Sequence, residues 1–513
     1  MTIKNPLALG IDVGTTTVKA SVVDLSGHVV SFATEPLATV MLPDGGAEQD
    51  PHELWTTLKR VMQQAIAGCS GENIVGITCA SQYVSIVPVD ANGTPTHNMI
   101  LWMDRRGARY NLTIHEKHED ALSYWLDVHG LPPVAGMSLA HIQWVQHERP
   151  EVYEKTHAFL EPADYVTGRL TGKVVSNPCT VFPLLLTDHR HPDQVAYDDK
   201  LVEMSGLDPA KLAPLLDKSA TVGNLLPELA DELGLSADVP VLAPVNDTQS
   251  VTIATGAIES AIGGLSIGTT SVLVSSMQEK KSDLATSMLS MPSPLPGEYN
   301  VMAENGLGGK VLEHFLEQWM FPDDAMGDNR LEDPYQVLDE AVKQVPAGSN
   351  GVFFLPWLGG SLAPNSKDYV RAGFMNLSIH NTRPDMARSV LEGLCMNIRW
   401  LLEAVQEFTG TQLEIITIGG GPARLDSLCQ VMADVLARPV RQMESPHAIA
   451  SCGAALLTFQ RLNYIDRNNL KDCVVCAHEY QPNAENVETY NQKFQHFLGF
   501  FNANQELYQQ LNQ

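Results

Sequence analysis

The sequence predicts an α/β protein made of two similar halves, each a sheet with helices, closing on a cleft between them. Three observations predict it. Two glycine-threonine turns lie far apart, one in residues 10–19 (GIDVGTTTVK) and one in residues 265–273 (LSIGTTSVL). Each turn sits between β-branched, strand-forming residues and reads as the tip of a hairpin. Beyond each turn, strand-like and helix-like segments alternate, as in an α/β sheet protein. At 513 residues the chain is too long for one ordinary core, and two to three domains is the natural expectation.

The turns carry Gly14, Thr15, Thr16 and Thr17 in the first half and Gly268, Thr269 and Thr270 in the second. Glycine permits positive φ and close backbone approach. Consecutive backbone N–H groups in such a turn form a concavity that holds an anion. Two such turns in two halves point to a duplicated fold clamping one phosphate chain. Ordinary hairpins use the same residues, so each turn alone carries little weight.

The elements follow in order. Residues 18–23 and 29–32 flank the turn Asp24-Leu25-Ser26-Gly27. Asp50-Pro51-His52-Glu53 starts a helix, with Asp50 as N-cap and Pro51 in the first position, running to Ala67. Residues 74–78 form a short buried strand. Three strands, a helix and a strand is the order of a ribonuclease-H-like half. The second half restarts it: a hairpin over residues 262–275, a helix over 303–319, a long helix over 386–408, a strand over 413–418, a strand over 439–441 and a helix over 448–459. The halves divide near Pro240 and Pro244, as 1–245 and 246–465. Residues 466–513 are expected to be a helical tail packed on the body through Tyr490, Phe494, Phe497, Phe501 and Tyr508.

Composition narrows the function. A hydrophobic content of 44% and a charged content of 18% describe a globular chain. The net charge of -27 argues against nucleic acid and against anionic membrane surfaces. It leaves room for a nucleotide, because Mg²⁺ and backbone N–H groups neutralise phosphate locally. No secretory signal opens the chain and no run of about 18 apolar residues occurs, so a cytoplasmic protein is expected. Eight scattered cysteines read as reduced thiols, and Cys473 and Cys476 lack a second pair at zinc-ligand spacing.

Four segments carry chemistry. Asp12 lies two residues before Gly14, and a carboxylate beside an anion turn repels phosphate unless a cation intervenes. Asp12 is therefore either a magnesium-organising acid or a turn cap; Lys19 either neutralises phosphate or faces solvent. Asp247, in PVNDTQS, is either a helix N-cap or a general base at the end of a strand. Gly419, Gly420 and Gly421, followed by Pro422 and Arg424, fit a nucleoside platform. Trp102, Asp104, Arg105 and Arg106 suit either a sugar face or a salt-bridged surface turn. No P-loop, H-E-x-x-H or nucleophile elbow is present.

Taken together these segments resemble the FGGY carbohydrate kinase family, the xylulokinase branch above all, from Leu7 to about Leu457. DVGTTTVK is similar to the family's first phosphate motif. Gly136-Met137-Ser138, Ile142 to Val145, Pro150 to Tyr153 and Asp164 to Gly172 look like its first signature region. Phe354-Leu355-Pro356, Ala372-Gly373-Phe374 and Ser389 to Gly393 look like the second, and Gly420 to Asp434 like the adenosine motif. The resemblance implies two domains of the actin, hexokinase and Hsp70 superfamily with ATP and sugar in the cleft. It implies transfer of the γ-phosphoryl group to a sugar or polyol hydroxyl, most simply that of a ketopentose such as xylulose. It makes Asp247 the general base and Asp12 the acid that organises Mg²⁺. Gln82, Tyr83, Trp102 and Asp104 would line the sugar site. Gly14 to Thr17, Gly268 to Thr270, Gly420, Gly421 and Arg424 would hold the nucleotide. The expected partners are ATP and a small sugar or polyol, with no nucleic acid and no membrane; a homodimer is compatible.

Departures bear on the substrate. Where xylulokinases carry Gln-Met-His-Gly, this chain has Gln82-Tyr83-Val84-Ser85, and Val84 cannot hydrogen-bond. Around the base, Val245-Asn246-Asp247-Thr248 replaces Gly-Gly-Asp-Asn. Asn376 and Pro422 stand where glycines are usual. Another ketose, a polyol such as glycerol, a catalytically silent regulator and a chaperone-type ATPase are the alternatives, and a substrate panel with ADP release separates them.

Overall fold

A computed structural model describes residues 5–512. The first sheet runs in the order Thr221–Asn224, Pro240–Leu242, Ile74–Ser81, Leu7–Val13, Thr17–Asp24, Val29–Pro36, with Val245–Asn246 also paired to Ile74–Ser81. Leu7–Val13 is buried along its whole length, antiparallel to Thr17–Asp24 and parallel to Ile74–Ser81. A continuous apolar run is what a strand covered on both faces requires. The expected helix is Pro51–Ala67; the Asp50 side chain accepts from the His52 N–H, and Leu54, Leu58, Val61 and Met62 are buried.

The second sheet repeats the plan in the order Ser282–Asp283, Met288–Pro292, Tyr299–Leu307, Thr270–Met277, Ile262–Ile267, Ile415–Gly419, Val440–Met443, Cys476–Tyr480. The long helix Arg383–Thr409 buries an apolar stripe that includes Val390, Leu394, Leu401 and Val405. Both halves are thus sheets covered by helices, the predicted α/β architecture.

Three local expectations are corrected. Residues 303–319 do not form one helix: a strand, Tyr299–Leu307, precedes the helical turns Gly309–His314 and Phe315–Met320. The glycines at 306, 308 and 309 separate the two, and alternation of buried positions marks the strand. The tail is not wholly helical, because Cys476–Tyr480 adds an edge strand to the second sheet before the helix Ala484–Asn512. On that helix Tyr490, Phe494, Phe497 and Phe501 are buried, the last two against Trp357. Neither Gly14 nor Gly268 occupies the left-handed region; Gly420 does, with φ of 96°.

One helix ties the halves together. Ile449–Arg461 packs on the first sheet so closely that a Cβ on Gly10 would lie 1.8 Å from the Ser451 carbonyl oxygen. Buried hydroxyl pairs, Ser21 with Ser451 and Thr78 with Thr458, each at 2.6 Å, stitch the same contact. Helix Asp247–Ala254 lies against it where a Cβ on Gly453 would meet the Ser250 carbonyl at 2.0 Å. Among the described residues no helix is long and apolar enough to cross a membrane.

Candidate active site

Sheet register brings the two predicted acids together. Asp12 and Val245 both pair with Ala80, from opposite sides of the strand Ile74–Ser81. The chain turns into helix Asp247–Ala254 two residues later. Asn246 caps that helix: its side chain accepts from the Gln249 N–H at 2.7 Å, and the Gln249 side chain accepts from the Asn246 N–H at 3.0 Å. The capping alternative for Asp247 is therefore filled by its neighbour. Asp247 Oδ1 accepts from the Thr248 N–H at 2.7 Å, and Oδ2 has no protein partner among the described residues.

Burial pushes the Asp247 carboxyl up to about 7, and the charge of Asp12 pushes the same way; the Thr248 N–H and Lys19 oppose them. Asp12 Oδ2 is 3.0 Å from Lys19 Nζ, and this pairing holds the Lys19 ammonium above its ordinary value. Lys19 neither lies free in solvent nor stands free for phosphate: it is paired with Asp12.

The first turn is closed by the Gly14 N–H donating to the Thr17 carbonyl at 2.9 Å, with Thr16 at its exposed tip. The second turn is closed by the Gly268 N–H to the Thr270 carbonyl at 2.9 Å. It is braced from behind by Gly308 N–H to Thr269 at 3.0 Å and Gly309 N–H to Gly268 at 2.8 Å. The glycine loop joins it: a Cβ on Gly420 would sit 2.2 Å from the Ile267 carbonyl, and one on Gly309 would sit 2.4 Å from that of Gly268. Only backbone without side chains packs this closely. Gly421 faces open space. Arg424 stacks 4.4 Å over the Tyr335 ring, 3.9 Å from Asp333, giving the loop a planar rim.

On the sugar side, Trp102 Nε1 donates to Thr15 Oγ1 at 3.1 Å, and the Thr15 hydroxyl donates to Gln82 Oε1 at 2.8 Å. Trp102 is 41% exposed, an apolar ring left open to a ligand. Asp104, expected to line the sugar site, lies buried in the turn after Trp102. It is 2% exposed, and its oxygens accept from the Ala47 N–H at 2.9 Å and from Arg106 Nη2 at 2.7 Å. It is a salt-bridged turn, but a buried one that carries Trp102. Burial raises the Tyr83 phenol pKa, and the charges of Asp247 and Glu304 push the same way. Val84 has φ of 60°, a left-handed conformation that costs a β-branched residue energy. The turn is held from behind by Glu161, which accepts from the Ser85 N–H at 3.2 Å and the Ser138 hydroxyl at 2.5 Å.

Sequence reasoning missed Glu304 and Glu161. Glu304 sits opposite Val272 on the neighbouring strand, burial holds its carboxyl above its ordinary value, and its charge raises the Asp247 pKa. Correct assignment of residues 299–307 as a strand would have turned Glu304 toward the second turn. Glu161, just before the helix Pro162–Thr171, had no local signal beyond a helix start.

Among the described residues no group of three or more His, Cys, Asp or Glu is gathered to hold a metal, and Cys473 and Cys476 are free thiols. Asp12, with one oxygen on Lys19 and the other unpaired, fits a hard cation carried mainly by phosphates.

Known proteins share the two-domain fold. Residues 7–254 match the N-terminal domain of the FGGY family of carbohydrate kinases, and residues 263–461 match its C-terminal domain. A xylulose kinase of Staphylococcus epidermidis is 26% identical over 507 residues, covering 98% of this chain and 97% of the relative. A gluconokinase of Bacillus licheniformis is 24% identical over 505 residues, covering 98% and 97%. The fold is similar to the crystal structures of a gluconate kinase (TM-score 0.85, 22% identity, 99% of this chain and 100% of that one) and a ligand-bound xylulose kinase (0.84, 22%, 99% and 100%), both from Lactobacillus acidophilus. With both family domains matched in order along a two-sheet fold, the chain belongs to the FGGY family of carbohydrate kinases.

Proposed function

We propose that this ATP-dependent carbohydrate kinase phosphorylates a terminal hydroxyl of a small sugar, a ketopentose such as xylulose, with Asp247 as general base. One observation carries the reading. Asp247, freed from capping by Asn246, follows the strand Val245–Asn246 that shares Ala80 with Asp12, and feels the charges of both Asp12 and Glu304. Residues 1–245 bind the acceptor and residues 246–465 the nucleotide, with the cleft between.

The acceptor rests on the Trp102 face and hydrogen-bonds near Gln82 and Tyr83. Its hydroxyl gives its proton to Asp247 Oδ2 as its oxygen attacks the γ-phosphorus in line, and the bond from that phosphorus to the β,γ-bridging oxygen breaks to release ADP. The backbone N–H groups and hydroxyls at Gly14 to Thr17 and Gly268 to Thr270 hold the phosphates; Gly420, Gly421 and Arg424 frame the nucleoside. Phosphoryl transfer depends mainly on alignment and electrostatic stabilisation, which two facing turns supply. Asp12 would hold Mg²⁺, which would supply positive charge to offset that of the nucleotide.

Full-length similarity to xylulose kinases supports the ketopentose. Val84 in place of the family's histidine, with the gluconokinase relative, favours as a second reading a different polyhydroxylated acceptor. Acceptor-dependent ADP release across ketopentoses, ketohexoses, glycerol and aldonates tests both: D-xylulose is expected to give the highest kcat/KM. ADP release that no acceptor stimulates would reject the kinase reading.

A further inference from the structure

His141 is wholly buried, and among the described residues neither of its ring nitrogens has a hydrogen-bond partner. The other buried imidazoles are tied: His129 lies 3.0 Å from the Phe182 carbonyl, and His189 lies 2.7 Å from Thr187 Oγ1. Burial pushes the His141 imidazole down to about 4; Asp104 and the Val84 backbone oppose burial, and Arg106 adds to it. At neutral pH the ring is therefore uncharged, with one N–H to donate and one lone pair to accept. Leaving such a group unmatched inside a protein is costly.

His141 stands behind the two turns that form the acceptor platform. Its helix, Ser138–Glu148, reaches the first turn through Ser138, whose hydroxyl shares Glu161 with the Ser85 N–H. Ser85 Oγ in turn accepts from the Trp102 N–H at 3.1 Å. The same helix is pressed on the second turn, where a Cβ on Gly107 would lie 2.2 Å from the Ala140 carbonyl oxygen and 3.1 Å from the His141 nitrogen. Arg106 stacks 3.9 Å over the Trp144 ring. His141 lies one helical turn from Ser138 and one from Trp144, on the face these contacts define. Next to Ser85, Val84 is held at φ of 60°. The free protein thus carries an unmatched imidazole and a strained turn directly behind Trp102. Costs kept beside a ligand platform are relieved when the ligand favours a second arrangement.

Resting on the kinase reading above, we propose that His141 is a positioning residue for the acceptor: its N–H goes unpaired in the free protein and donates to the backbone of the Val84–Ser85 turn once an acceptor seats on Trp102. Val84 has lost the hydrogen-bonding side chain of the family's histidine, and His141 sets the backbone of that turn instead.

The test uses the full chain with saturating Mg-ATP and whichever of D-xylulose, D-ribulose, glycerol and D-gluconate gives the highest kcat/KM. His141→Leu is expected to melt about 1–3 °C above the wild type without ligands, because an unmatched polar group is gone. Its acceptor KM should rise about tenfold, the equivalent of one hydrogen bond, with kcat within about threefold. His141→Gln keeps an N–H donor and should hold KM within about threefold of the wild type. Melting of ligand-free His141→Leu below the wild type would show an imidazole already paired and overturn the proposal. An unchanged KM in His141→Leu would do the same, as would an equal rise in both variants, the mark of packing alone. Each of these leaves the kinase reading standing so long as an acceptor stimulates ADP release in the wild type. Stimulation by none of the four would overturn that reading and this proposal with it.

Discussion

Lys19 holds Asp12 at 3.0 Å while its charge also acts on Asp247, so one cation steadies two carboxylates that belong to different halves of the reaction. The Lys19 charge opposes the upward push of burial and of Asp12 on the Asp247 carboxyl. The two acids are neighbours because the strand Ile74–Ser81 accepts a parallel partner on each side.

Asp247→Asn should lower kcat by about 10²–10⁴-fold, the usual loss when a general base is removed. Acceptor affinity, read by calorimetry, should change less than threefold or so, because the amide keeps shape and hydrogen bonding. Near-normal turnover would exclude Asp247 as the base.

The pH profile should show an acid limb near 7, where burial and Asp12 set the Asp247 carboxyl, rather than near the ordinary carboxylate value of about 4. The base must be ionised, so kcat/KM rises through that limb as pH increases. Lys19→Met removes a charge that lowers this pKa and should move the limb to higher pH. Glu304→Gln removes one that raises it and should move the limb down. A limb that neither substitution shifts would belong to another group.

The same group makes a stability statement. A carboxyl raised to about 7 in the fold binds a proton that the unfolded chain, near 4, has already lost. Stability from this group is thus greatest below about pH 4 and is lost as pH rises through about 7. Asp247→Asn should therefore melt above the wild type at pH 8, and the difference should shrink toward pH 4; scanning calorimetry reads it.

Gly420→Ala should raise the KM for ATP tenfold or more. Its methyl would meet the Ile267 carbonyl at 2.2 Å from a backbone held at φ of 96°, prising the glycine loop from the second turn. A stability loss above about 1 kcal/mol should accompany it, from a residue type that disfavours this conformation. The acceptor KM, measured at saturating ATP, should move less.

The C-terminal helix is locked by a buried network. Lys493 Nζ lies 2.7 Å from Glu392 Oε2, and Arg388 and Tyr490 also bond Glu392, which is wholly buried. Glu392→Met leaves two buried cations without a charged partner and should cost about 3–5 kcal/mol in urea unfolding. Adding Lys493→Met should recover part of that loss, since an apolar pair of similar volume is often tolerated. Equal losses in single and double variants would show that the pair is not coupled.

The parts legible in sequence were those whose chemistry is local. Asp12 two residues before Gly14, the helix start at Asp50-Pro51 and the strand that ends in Gly419 all follow from neighbours within a few residues. Asp247 as a base needed the family resemblance, because a helix start explains an acid there equally well; only the Asn246 cap removes that alternative. Asp104 could not be placed, since Ala47, one of its partners, comes from a distant segment. Glu304 was lost with the helix read over residues 303–319, where the apolar spacing of Val311, Leu312 and Phe315 was carried back across the glycines into a strand. The Cys476–Tyr480 strand was hidden because an edge strand with three exposed residues in a row shows no alternation.

The contact of Gly10 with Ser451 bears on how the protein is made. The first sheet is written within the opening 250 residues, but the helix that covers one of its faces is among the last parts synthesised. A nascent chain stalled before residue 449 would expose Ala8, Val75 and Ala80 to the cell. Cutting the gene at the boundary between halves would likewise yield two fragments, neither with a finished surface. Expressed together, such fragments should reassemble through Ile449–Arg461, and the first fragment alone should aggregate.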